Sequence, residues 1–226
     1  MAGRIARRSA GRGGARRPVR HAAADHAERA DPAEFDAVTA RLVEAERQHY
    51  RTAHDEVLAA LDSARYRELR EELSGWRTDP PLRPARAEAA APDIFREVLR
   101  RDLDRVESLI RDEATVDPRE RVELLHEIRK SAKRLRYASE AAEQVLGDEA
   151  ADRGDRAKKL QTVLGDHRDA VESHHAILDR ASEAVTAGEN ADLYELLAAA
   201  EEEAAGRELS RYPATAAALF GTAVTG

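Results

Sequence analysis

Apolar residues recur along most of the chain at the three- and four-residue spacing of helices, and nowhere in the two-residue rhythm of a strand. From Phe35 to about Leu61, charges of both signs surround Val38, Leu42, Val43, Val57, Leu58 and Leu61, which predicts a long helix. Asp62-Ser63 breaks it, and a second helix is predicted from Ala64 to about Trp76, with Tyr66, Leu69 and Leu73 on one side. Residues 77–92 hold Pro80, Pro81, Pro84 and Pro92. Proline lacks the amide donor and clashes with the preceding turn, so this stretch reads as a linker. Asp93 is then expected to cap a helix carrying Phe95, Val98, Leu99, Leu103, Val106 and Ile110. Asp117-Pro118 reads as N-cap and first-turn proline of a helix that runs to Leu146 and stops at Gly147. Beyond it the pattern predicts a helix near Asp152 to Leu164, a stop at Gly165 and another helix from Asp166 to Val185. A turn at Gly188 and Asn190 and a last helix from about Ala191 complete the chain.

Composition agrees with an all-α protein. The 226 residues are 42% hydrophobic but only 4% aromatic, which favours helices packed through small and aliphatic side chains. No stretch reaches the roughly 20 consecutive apolar residues of a membrane span. There is no cysteine, which removes disulfides, thiolate metal sites and cysteine nucleophiles and fits a cytoplasmic location. The formal charge of −7 disfavours broad coating of nucleic acid, so any polyanion site must be local. Residues 1–24 contain seven arginines and no acid, without the apolar core of a targeting signal, and 1–34 is read as a basic, disordered tail.

One stretch inverts the overall charge. Between Arg121 and Tyr137, Arg121, Arg129, Lys130, Lys133, Arg134 and Arg136 face only Glu123 and Glu127 as acids. On a helix, His126, Arg129, Lys130, Lys133, Tyr137 and, at the margin, Arg136 share one face, and Leu124, Ile128, Ser131, Leu135, Ala138 and Ala142 form the opposite one. Cations at this spacing suit a chain of phosphates, because each contact is a charge-assisted hydrogen bond that needs no base identity. From the residues alone, an ordinary solvated helix face remains an equal alternative. Tyr137 is expected to pack rather than bind. A protonated His126 would add a donor whose charge titrates near physiological pH if its pKa is ordinary.

The string His126-x-x-Arg129-Lys130-x-x-Lys133-Arg134-Leu135-Arg136-Tyr137, followed by Leu160-Gln161-x-x-Leu164-Gly165-x-x-x-Asp169, resembles the second half of a CHAD domain, the conserved-histidine α-helical domain. The resemblance implies an all-α antiparallel bundle of two similar four-helix halves whose basic channel binds inorganic polyphosphate. Residues 93–226 would form the second half, 77–92 the linker, and 35–76 the last helices of the first half. Carried over by motif, the binding residues are His126, Arg129, Lys130, Lys133 and Arg136. Arg134, about 80° from His126 on the wheel, and Lys159 are weaker candidates. No second basic helix stands near the start, so one channel wall is expected to be absent and association as a homodimer would complete it.

Other chemistry is poorly supported by the residues. Asp166-His167-Arg168-Asp169 and His174-His175 invite a metal, but helix capping explains the aspartates, and His174 falls with Ala170, Ile177 and Ala181. No Gly-rich phosphate loop, Ser-His-Asp signature or dense carboxylate cluster is present, so neither an enzyme nor a bound cofactor or metal is expected. The expected function is non-enzymatic binding of polyphosphate. A helical regulatory protein docking an acidic protein segment is the alternative, and a phosphohydrolase accessory domain ranks lower.

Overall fold

A computed structural model describes residues 32–221; the Arg-rich stretch expected to be a disordered tail lies, up to residue 31, outside the described residues. Among the described residues all regular structure is helical: α1 Pro32–Leu61, α2 Ala64–Gly75, α3 Pro84–Ala87, α4 Ala91–Glu113, α5 Pro118–Leu146, α6 Asp148–Thr186, α7 Asp192–Ser210 and α8 Tyr212–Leu219. The described helices fall into two compact units, residues 32–81 with Asp169–Ala205 and Leu82–Arg168 with residues 206–221. The boundary at Pro81 lies inside the proline-rich stretch, whereas Asp169–Ala205, expected within 93–226, groups with the first unit.

The second unit carries the basic helix. Asp117 caps α5 by accepting the Arg119 N–H at 2.8 Å, Pro118 fills the first turn, and Gly147 at φ 61° ends it by donating to the Glu143 carbonyl at 2.8 Å. Leu99 and Val106 of α4, Ile128 and Leu135 of α5, Leu160 of α6 and Tyr212 of α8 belong to one core. Each large side chain fully buried there contributes about 1.5–3 kcal/mol. The buried face of α5 is wider than the sequence pattern, since Leu125, Ala132 and Ser139, each seven residues apart, are buried as well.

The first unit packs Val38 and Leu42 of α1 against Ile177, Ala181 and Ala184 of α6 and Tyr194 and Leu197 of α7. His174 of α6 stands by the Ala198 carbonyl at 2.8 Å.

Several expected boundaries differ. Asp93 does not cap α4: Ala90 occupies that position, Pro92 lies in the first turn, and Asp93 adds its charge to the helix start. The proline-rich stretch holds one helical turn, α3, begun by Pro84, because first-turn positions have no intrahelical N–H to lose. Most importantly, Gly165 is not a stop. It lies within the continuous helix α6, so Asp166 and Asp169 are not caps.

Candidate functional site

Helices α5 and α6 run antiparallel within the second unit, and glycines let them come close. A Cβ on Gly154 would meet Ser139 Cβ at 3.3 Å. Farther along the same seam, a Cβ on Gly165 would lie 3.3 Å from Arg129 Nε and 3.7 Å from its Nη2. The Arg129 guanidinium therefore rests against bare α6 backbone, and its Nε is buried without a hydrogen-bond partner among the described residues. Gly165, which lowers helix propensity by about 1 kcal/mol relative to alanine, is kept here as space for an arginine.

One turn further, Arg168 Nη1 contacts His126 Nδ1. A guanidinium only donates, so Nδ1 accepts and a neutral His126 carries its proton on Nε2. Burial, followed by Arg168 and Lys130, pushes the His126 pKa below its ordinary value, with Glu123 opposing and Arg129 adding to the fall. The surroundings of His126 thus favour the neutral imidazole more than water does.

The remaining cations are held in different ways. Lys130 pairs with Glu127 one turn back, which lowers the carboxyl pKa of that glutamate. Arg136 donates from Nε to Glu140 at 2.7 Å and from Nη1 to Gln161 of α6 at 3.3 Å. Tyr137, expected to pack, is 49% exposed, and its ring lies 4.9 Å from the Arg136 guanidinium and 5.6 Å from Lys133 Nζ. Its electron-rich face steadies two cations that would otherwise repel.

His126, Arg129, Lys130, Lys133 and Arg136 thus share one face. Arg134 does not join them: it donates to the buried carboxylate of Asp102 at 2.9 Å and ties α5 to α4. Lys159 is exposed and stands about 120° around α6 from Gly165, whereas Lys158 stands about 20° from it. Sequence reasoning missed Arg168, Gln161, Gly165 and the role of Tyr137. For Gln161 and Gly165 a signal lay in the seven- and four-residue spacing that runs on from Gly154. Among the described residues no three His, Cys, Asp or Glu side chains converge to hold a metal ion, and no helix is long and apolar enough to cross a membrane.

Two uncharacterized proteins of Mycobacterium tuberculosis, MT2285 of strain CDC 1551 and Rv2226 of strain H37Rv, are each 34% identical over 171 residues, 75% of this chain. The matched region is 32% of each relative, so the chain covers about a third of their length. No solved structure matches. The family model of the CHAD domain matches residues 9–178, beginning inside the Arg-rich stretch and running through both the basic helix and Gly165. The chain belongs to the CHAD domain family.

Proposed function

We propose that the cationic face of α5, with Arg168 of α6, binds inorganic polyphosphate or a similar linear polyanion without turning it over. The observation that carries this reading is Arg129, whose guanidinium is fixed against Gly165 with a buried Nε that no described residue accepts from. A preorganised guanidinium loses little rotamer entropy on binding and forks onto phosphate oxygens. Neutral His126 offers Nε2–H beside it, and Lys133 adds an exposed charge steadied by Tyr137.

Titration of the full chain with fluorescent long-chain polyphosphate tests the proposal. Affinity should fall steeply with added salt, as counterion release requires. No phosphate should be liberated when divalent metal is added. An acidic peptide of equal charge that competes as well as polyphosphate would instead support docking of an acidic protein segment.

The depressed His126 pKa sets a pH dependence. Because the folded chain binds this proton less readily than the unfolded chain, stability falls as pH drops below the unfolded value of about 6.5. A bound polyanion favours the imidazolium, so affinity rises over the same interval. His126→Gln, neutral at every pH, should flatten both curves relative to wild type. Thermal melts and titrations between pH 5 and 8 measure the difference.

A further inference from the structure

Among the described residues, the α1–α2 hairpin of the first unit leaves an apolar face uncovered. None of the 12 residues of α2 is buried. Leu69, Leu73 and Trp76 are 43–45% exposed, and Leu58 and Leu61 of α1 are 48% and 40% exposed. The α2 residues are spaced by four and three, so they form one stripe. A helix of this length is marginal alone in water and draws its stability from burying such a stripe. Large apolar side chains grouped in this way mark a contact surface.

The undescribed residues of the chain have little to cover it with. Apart from alanine and Pro18, the apolar residues of 1–31 are Met1, Ile5 and Val19, and 222–226 add Val224. The charges of α2 indicate a different occupant. Arg65 and Glu72 are two turns apart and flank the same edge of the stripe, one near each end. A second α2, turned half a revolution about an axis beside Leu69, runs antiparallel and sets its Glu72 opposite Arg65 and its Arg65 opposite Glu72. An isologous contact requires a surface complementary to itself. This stripe meets that requirement.

We infer that two copies of this chain associate through their α1–α2 hairpins, α2 against α2, as a two-fold arrangement of four helices. The association is independent of anion binding.

Sedimentation equilibrium of the full chain over a micromolar concentration series should show a reversible monomer–dimer equilibrium, and Leu69→Glu with Leu73→Glu should leave monomer. Charge exchange tests the pairing itself. Arg65→Glu alone or Glu72→Arg alone sets like charges against each other twice per dimer and should weaken self-association about tenfold. Mixing the two single variants restores both attractive pairs and should recover dimer as the heterodimer. A monomer at every concentration, a dimer indifferent to the leucine substitutions, or no recovery on mixing overturns the inference.

Discussion

Replacing Arg129, Lys130 and Lys133 together by alanine is expected to lower polyphosphate affinity about a hundredfold while leaving helicity intact. A hydrogen bond between charged groups contributes about 1.5–3 kcal/mol in a shielded site and less in salt water. Taking about 1 kcal/mol for each of the three contacts gives a loss of about 3 kcal/mol, roughly a hundredfold in Kd. The salt dependence should flatten as well, by about 0.7 in slope per lost contact if polyphosphate behaves like a single strand of nucleic acid. Folding should not suffer. None of the three belongs to the apolar core, although Arg129 is half-buried against Gly165, and removing Arg129 and Lys130 relieves repulsion around His126. Circular dichroism and the titration, run on the same preparation, separate lost binding from lost structure. Unchanged affinity would remove the site.

The same residues show why half of the site is legible in the sequence. Helix α5 announces itself through Asp117-Pro118 at one end, Gly147 at the other and an apolar face between, so its four cations and His126 fall on one side by periodicity alone. Helix α6 does not. Its glycine at 165 reads as a stop because glycine is a poor helix former, and Asp166 and Asp169 then read as caps. What decides the matter is tertiary: as α5 rises α6 descends, so that Ser139 meets Gly154, Arg129 meets Gly165 and His126 meets Arg168. No local pattern encodes that register. Arg168 was therefore invisible as a partner of a histidine 42 residues away. Arg134, already a weaker candidate by its place on the wheel, pairs with a carboxylate buried on α4, and burial of Asp102 is not legible from sequence.

Gly165→Leu should lower polyphosphate affinity about tenfold without any charge being removed. A Cβ alone at this position meets the Arg129 side chain at 3.3 Å, so a leucine must displace the guanidinium from its platform. The displaced arginine regains rotamer freedom that binding must then remove, and the two lost contacts of a fork correspond to about 1.4 kcal/mol or somewhat more. Gly165→Ala should do the same to a smaller degree, and its melting temperature is set by opposing effects: a gain of up to about 1 kcal/mol in helix propensity against the crowding of Arg129. The decisive measurement is the double-mutant cycle. In an Arg129→Ala background nothing remains for the new side chain to displace, so Gly165→Leu should cost no further affinity and Gly165→Ala should only stabilise. Additive losses would mean that Gly165 acts by spacing α5 from α6 and not by seating Arg129.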